Sequence, residues 1–560
     1  MRVSGGIRSL ATTSLATLIG VLVSSGSLSA QELRGTVRDS ASHQPIPAAV
    51  VLLVDSSGVV LARRVTDVSG AFRLPGSPSA RQLRVLRLGF RPFVRPLSSA
   101  ESGSTLEILL ATVPVHLAPV LTTARASCSA RDDRAAAFAV LEQVRAALLA
   151  TVISAADNRA TMMRLLFERR LEGNSDRIAS QSVRLSGAVT NENPFGAARS
   201  AAEFVREGFR TGSDGGYTYF APDAETLLSD AFASGYCFSM MRPDRSRPRQ
   251  LGLGFEPASH ESGRIDVSGV LWVDTTARTL HDLEFRYLGL EREVTALRPG
   301  GWISFRQLPN GVTLIDRWAL RLVSGRLSIG AGGVTATGAI VRGRSEPSRL
   351  YVREVGGELA RAEWPSGEVW TAPLGIVRLH AVTKAGTPAV GTRIQLLDTD
   401  YQATADSTGS VVLQPLLPGP YAVAVADARL AQLGLPLTTA LTFVAERDST
   451  VVAQLGVETA EDFVRSRCVK DGPLSGGGWI LGRVVTRDGK PVNGARWLIR
   501  DGSGSTIVQG GRVAADGLFH WCQLPFDRRI EIEGWRGDRH AKSTRTLSDR
   551  VTIVPLVLDQ

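Results

Sequence analysis

Gly35-Thr-Val-Arg-Asp39, Pro45-Ile46-Pro47-Ala-Ala-Val50-Val-Leu-Leu53 and Thr66-Asp67-Val-Ser-Gly70-Ala-Phe72 follow one another within the first hundred residues. Gly35–Asp39 reads as a short strand entering a turn, with Val37 inward. Pro45 and Pro47 lack donors and suit an edge or a turn. In Val50–Asp55 both alternating faces are mostly apolar, as expected of a strand between two layers. Asp67–Gly70 is a hairpin turn, since Gly accepts positive φ cheaply. Phe72 then points inward. Short strands with turn signals at this spacing predict a β-sandwich.

The same grammar returns near the C-terminus. It reads Gly482-Arg-Val-Val-Thr-Arg-Asp488, then Pro491-Val-Asn-Gly494 and Asp516-Gly517-Leu-Phe519. A looser copy lies between, at Val377–Val382, Pro388–Gly391 and Asp406–Gly409. These residues resemble the carboxypeptidase regulatory-like domain, a transthyretin-like β-sandwich. The likeness covers 31–111 and 478–558, with a weaker copy at 373–455. It implies the fold and an extracytoplasmic setting, in a family where the module is an appendage. Fold alone does not give function.

The expected organisation is mainly β and multi-domain, with three such sandwiches flanking a central α+β domain that has a curved antiparallel sheet. The divisions are a signal peptide at 1–30, a sandwich at 31–112 and a linker at 113–127. The central domain follows at 128–366, a degenerate sandwich at 373–455, a linker at 456–477 and a last sandwich at 478–560. Val113–Thr123 resembles the extended linker of TonB-dependent receptors. Arg131–Val152 reads as an amphipathic helix with Phe138, Leu141, Val144, Leu148 and Val152 on one face. Pro222–Phe232 reads as one short helix with acidic residues in its first turn. Strands from Leu251 to Val323 form a meander that resembles the curved sheet of periplasmic lipoprotein carriers.

Arg2 and Arg8, the apolar run Leu10–Val23 and the small-residue end Ser27–Ala30 form a secretion signal. No later stretch is read as a spanning helix, so the expected protein is periplasmic, outer-membrane-associated or secreted. The net charge is +10, and 60 of the 64 basic residues are arginine. They are spread along the chain and match no helix-turn-helix, finger or RNP pattern, which argues against nucleic acid. Cys128, Cys237, Cys468 and Cys522 have none of the spacing of a zinc site and read as structural disulfides. Four cysteines allow three pairings. The domain divisions favour Cys128–Cys237 and Cys468–Cys522.

His281-Asp-Leu-Glu284 has the spacing that zinc carboxypeptidases use for two ligands, and His380 is a conceivable third. Strand alternation should set His281 and Glu284 on opposite faces, which excludes shared chelation. Trp479, Trp497, Trp521 and Trp535 crowd the last sandwich. They could stack on a carbohydrate, but filling the core is the better reading. Gly330–Gly333 lacks a following Lys-Ser/Thr, Asp214-Gly-Gly216 lacks calcium-loop spacing, and Arg536-Gly537-Asp538 reads as coincidence. There is no nucleophile elbow. No metal or cofactor is expected, and no catalytic residue. The expected role is non-catalytic binding or scaffolding of a protein or glycan at the cell envelope. The alternatives are an exported hydrolase with its site in the central domain, or a soluble partner of a TonB-linked uptake system.

Cleavage after Ala30 is expected, so N-terminal sequencing of the mature protein from its native host should begin at Gln31. An intact Met1 on cytoplasmic material would contradict export.

Overall fold

The computed structural model describes residues 32–97, 105–113, 131–157, 160–172, 175–190, 199–213, 216–241, 244–308, 313–324, 350–468, 477–502 and 507–558. The chain is mainly β and multi-domain. Gly330–Gly333, Asp214 and the linker 114–127 lie outside the described residues.

The repeated motif has one local cause. In the first copy the Val37 N–H donates to Gly70 O at 2.8 Å, and the Ile46 N–H donates to Val37 O at 3.0 Å. Gly70 has φ +75°, and a Cβ there would come within 2.5 Å of the Val37 carbonyl. Asp67 Oδ1 accepts from Ser69 N at 2.9 Å and Ala71 N at 3.0 Å, closing the turn. The second copy repeats the docking through Ala381 N to Gly409 O at 2.8 Å, the third through Val484 N to Gly517 O at 2.9 Å. The proline segment returns likewise, with Ala389 N to Ala381 O at 2.9 Å and Val492 N to Val484 O at 3.0 Å.

The Gly and Phe of the motif belong together. Gly35 pairs with Phe72 across the sheet, and Gly482 with Phe519. In each case the ring lies where a Cβ on the glycine would be. The middle copy has neither residue and pairs Leu379 with Val411 instead.

All three copies share one strand order. In the first, Leu33–Asp39 lies between Ala71–Leu74, antiparallel, and Thr105–Leu110, parallel. The facing sheet runs Val60–Val65, Val50–Val54, Gln82–Leu86, Phe93–Pro96. The seven strands between Gly375 and Val457, and those between Gly478 and Leu558, repeat this order, with the same parallel pairing of first and last strand. Val37, Val51, Leu53, Phe72, Leu83 and Ile108 fill the first core.

The central sheet is antiparallel throughout. In spatial order its strands are Tyr236–Met240, Gln250–Pro257, Asp266–Asp274, Thr279–Leu288, Gly300–Gln307, Thr313–Ser324, Tyr351–Glu363, Thr161–Leu171 and Ile178–Thr190. Val369–Thr371 pairs onto Tyr351–Glu363. The helix Arg131–Asp157 covers one face: Leu141, Val144 and Leu148 join Leu253, Phe255, Leu271, Leu283 and Phe285 in a single core. Farther along the helix, Ala150 and Ile153 pack on Val50, Leu52 and Val54 of the first sandwich. The strand Val50–Val54 is therefore buried on both faces, one in its own core and one against the helix.

Two-sided burial corrects two expectations about this helix. Phe138 is 53% exposed and Val152 half-buried, because the stripe runs through Ala137 and then splits between two partners. The segment Ala137–Ser154, with mean hydropathy 1.5, is also long and apolar enough to cross a membrane, contrary to expectation. Here 56% of it is buried inside the protein. A helix covered on two sides loses its polar face, which is the same compositional signal.

The helix expected at 222–232 is two, Ala224–Leu228 and Asp230–Gly235. Asp223 caps the first at Thr226 N (2.7 Å), and Ser229 caps the second at Phe232 N (3.0 Å). Part of the stretch read as a linker is the helix Ala460–Cys468. With Leu430 and Leu433 of the second sandwich it buries Trp479, Leu481 and Val551 of the third. Cys468 and Cys522 are disulfide-bonded inside this cluster, with Cα atoms 5.9 Å apart. Cys237 is also disulfide-bonded, while Cys128 lies outside the described residues. Arg483, 7% exposed, clamps the joint by donating to Leu433 O at 2.8 Å, Gly434 O at 2.6 Å and Asp516 O at 2.9 Å.

Gly482→Val must displace the Phe519 ring and is expected to cost about 1–3 kcal/mol by overpacking. Gly456→Val is the control, because nothing lies within 4 Å of its Cβ position. Urea midpoints of the two variants should differ, with only Gly482→Val well below the parent.

Candidate functional site on the polar face of the central sheet

Opposite the long helix, the central sheet presents a second face whose register lines up polar residues in rows. One row runs Trp272, Asp282, Ser304, Arg317, Glu358 across five strands. The next runs Glu284, Trp302, Ala319, Gly356, Phe167, Val183. A third runs Arg286, Gly300, Arg321, Glu354, Arg169, Gln181. Each strand supplies alternate residues, so the face follows from period-two patterning once the register is fixed.

Half of this face is closed by the second sandwich. Phe167, Val183, Ala319 and Ala360 share a core with Leu417, Tyr421 and Val423. The charges at this seam are paired. Glu358, buried, accepts from Arg447 through both carboxylate oxygens at 2.5 and 2.6 Å. Glu354, also buried, accepts from Arg321 at 2.8 Å and from Arg169 at 3.4 Å. Arg169 donates to Pro418 O at 2.9 Å, and Gln181 to Pro420 O at 3.3 Å. Burial holds Arg169 below the usual arginine range even with Glu354 opposing it.

The other half is open. Arg247 lies over Trp272, its guanidinium carbon 4.7 Å from the ring centre. It donates to Asp282 at 3.0 Å, to Gln250 at 2.8 Å and to Glu284. His281 Nδ1 stands 2.7 Å from Asp282 Oδ2. Burial raises the Asp282 carboxyl pKa, but the His281 hydrogen bond and charge, with Arg247 and Ser304, outweigh it and hold it below its usual range. Arg317 donates to Ser304 at 3.3 Å beside the half-buried Trp302. Such a surface offers charged and hydrogen-bonding groups that hold one another in place, with Glu284 at its exposed edge and Trp272 buried beneath Arg247.

This geometry corrects the reading of His281 and Glu284 as opposed. A bulge between Trp272 and Val273 makes His281 the extra residue of its strand. Leu280, Leu283, Phe285 and Tyr287 point into the core, while His281, Asp282 and Glu284 all escape it. His281 and Glu284 are joined through Asp282 and Arg247. Among the described residues no three metal-binding side chains converge. His380 lies on the second sandwich, 3.3 Å from Ser410 Oγ.

The four tryptophans do not form a stacking platform. Trp479 is fully buried beneath Arg550, and Trp497 is buried and stacked on Phe519 with ring centres 5.0 Å apart. Trp521 is half-buried against the core of the third sandwich, and Trp535 lies beside His540 on the other sheet. Trp479 and Trp521 belong to the three-stranded sheet, Trp497 and Trp535 to the four-stranded one. Arg536-Gly537-Asp538 is the exposed tip of the hairpin Arg529–Arg536/Arg539–Thr546. The polar rows were missed because their members come from strands far apart in sequence. The alternation Asp282, Glu284, Arg286 was the available signal.

Residues 32–111 match the family model of the carboxypeptidase regulatory-like domain. No curated protein matches the chain. Among solved structures, the Bacillus anthracis TIE protein aligns over 62% of this chain and 63% of its own, at 10% identity and a TM-score of 0.16. This chain therefore spans less than two-thirds of that protein. A Streptococcal ancillary pilin aligns over 38% of this chain and 79% of its own, at 11% identity and TM-score 0.15. The shaft pilin SpaA from Lactobacillus rhamnosus GG aligns over 33% and 96%, at 8% identity and TM-score 0.14. Overlaps of that size carry no functional argument.

Arg447→Met leaves Glu358 buried without its partner. The expected loss is about 2–3 kcal/mol, below the value for a fully buried pair because Arg447 is 38% exposed. Adding Glu358→Gln should recover much of it, measured as urea midpoints of single and double variants.

Proposed function

We propose that this is an exported, non-catalytic protein of three carboxypeptidase-regulatory-like sandwiches around a central α+β domain, and that it binds or scaffolds a protein or glycan at the cell envelope. The carrying observation is the half-open polar face, set between seams that are buried on every side the second sandwich reaches. The family match at 32–111 supports the sandwich assignment, and the identical strand order and docked turn extend it to the other two copies. A disulfide inside the third junction suits folding in an oxidising compartment. Joined bodies of this kind hold a recognition surface at fixed geometry, which lowers the entropic cost of binding.

A second reading, an exported hydrolase with its site in the central domain, draws on the His281–Asp282 hydrogen bond. It needs a nucleophile or bound water that His281 could deprotonate.

One experiment separates the two. Mature protein is titrated against isolated envelopes of the native host and, in parallel, incubated with peptide, ester and glycoside substrates. Saturable co-sedimentation that weakens about tenfold or more in Arg247→Ala, a central polar contact of the kind that dominates interfaces, supports the binding reading. Turnover abolished by His281→Ala would replace it with the hydrolase.

A further inference from the structure

The second sandwich carries a half-open cavity of about 440 Å³. Its floor is the outer face of two paired strands, Arg393–Leu396 and Gln402–Thr404. Ile394 and Leu396 point into the sandwich core, so Arg393 and Gln395 point the other way, toward the cavity. Register sets Thr404 opposite Arg393 and Gln402 opposite Gln395. The wall is the turn after the helix Ala428–Gln432, which contributes Leu435 and Leu437. That turn is fixed by the joint with the third sandwich: Arg483 donates to Leu433 O and Gly434 O, and Leu435 packs against the cluster around Trp479. A sheet and a clamped turn thus hold the cavity open in advance of any ligand.

Four polar side chains meet this one small volume, and the fold uses none of them. Among the described residues no hydrogen bond or ion pair involves Arg393, Gln395, Gln402 or Thr404. Other polar side chains of the sandwich are committed to its turns. Thr392 donates to Ala389 O at 2.7 Å, and Asp406 accepts from Thr408 N at 2.8 Å. Asp427, the acid that opens the helix, accepts from Arg429 N at 2.9 Å and Leu430 N at 3.2 Å. Arg393 therefore brings to the cavity a cation that no acid of the chain neutralises.

The layout of these groups selects the ligand. Residues directly opposite in an antiparallel pair stand about 5 Å apart, and alternate residues along a strand about 7 Å. The four groups are therefore the corners of a rectangle, not points on a line. An extended peptide offers its hydrogen-bonding groups in a line and leaves corners unmet. A pyranose offers hydroxyls around its whole rim. A guanidinium fork matches a carboxylate with two parallel hydrogen bonds. Leu435 and Leu437 give the C–H face of a ring an apolar wall. The volume suits a small ligand, for which pockets of roughly 300–1,000 Å³ are usual. We propose that this cavity binds a hexuronic acid unit of an acidic glycan. Its carboxylate lies on Arg393, and its hydroxyls meet Gln395, Gln402 and Thr404. The site is separate from the polar face of the central sheet and does not depend on what that face binds.

The test uses the full mature chain. It is titrated by calorimetry with a short oligogalacturonate, with the methyl ester of the same oligosaccharide, and with a peptide ending in leucine. Saturable binding of the oligogalacturonate, weakened about tenfold or more both in Arg393→Gln and by esterification, supports the site. Gln402→Ala should weaken it by a smaller factor. Since the chain carries a net charge of +10, general attraction of an acidic glycan needs its own control. Arg378→Gln removes the same charge from the other sheet of this sandwich and should leave the affinity unchanged. Arg393, Gln402 and Arg378 are all exposed, so the variants keep the fold. Absence of saturable binding, full affinity in Arg393→Gln or for the ester, or equal losses in Arg393→Gln and Arg378→Gln overturns the proposal. Tighter binding of the peptide than of the oligogalacturonate overturns it as well, in favour of a peptide site.

Discussion

A β-sheet has two faces, and in this chain the central sheet finds a different partner for each. The long helix takes one with an apolar core built from Leu141, Val144, Leu148 and the inward residues of the strands. The second sandwich takes part of the other, and there the partner is mixed, with Phe167 and Val183 beside the paired Glu354 and Glu358. Everything downstream follows from that asymmetry. The apolar face anchors the first sandwich by way of the helix, since Ala150 and Ile153 reach Val50, Leu52 and Val54. The mixed face leaves its uncovered half polar, where Arg247 ties Asp282 to Glu284.

The three sandwiches show how a short local rule is reused in different surroundings. The turn that docks on the first strand keeps its backbone bonds in all three. Their outer surfaces diverge. In the third the three-stranded sheet carries Trp479 and Leu481 beneath the helix Ala460–Cys468. In the second the same position on the fold carries the exposed Val412 and Val452 on either side of Arg378. Topology is held by main-chain geometry, and the side chains of each copy are free to make a different joint.

What could be read in the sequence was what is local. Asp67 to Gly70 spans four residues, and its consequences for Val37 and Phe72 are visible in the pattern. The apolar run Val50–Val54 announced a strand between layers without naming the second layer. The polar face was not legible, because Asp282, Ser304, Arg317 and Glu358 become neighbours only through register. His281 was misplaced for a smaller reason: one extra residue in a strand reverses the alternation behind it, and no residue type marks the bulge. Phe138 was misplaced because a helix buried on two sides has no single stripe to find.

Arg483 grips main-chain carbonyls, at Leu433, Gly434 and Asp516, and no side chain. Its specificity is therefore written on one side of the joint only. The turn it holds can drift in sequence while its carbonyls stay in place, whereas the forked donor geometry of arginine has no equivalent in lysine. At this contact the second sandwich is held through its backbone, so the identity of the side chains at Leu433 and Gly434 is not what Arg483 reads. The same joint thus combines two kinds of contact: one that asks for a single arginine against main chain, and an apolar one, Leu430 and Leu433 against Trp479 and Leu481, that is matched on both sides.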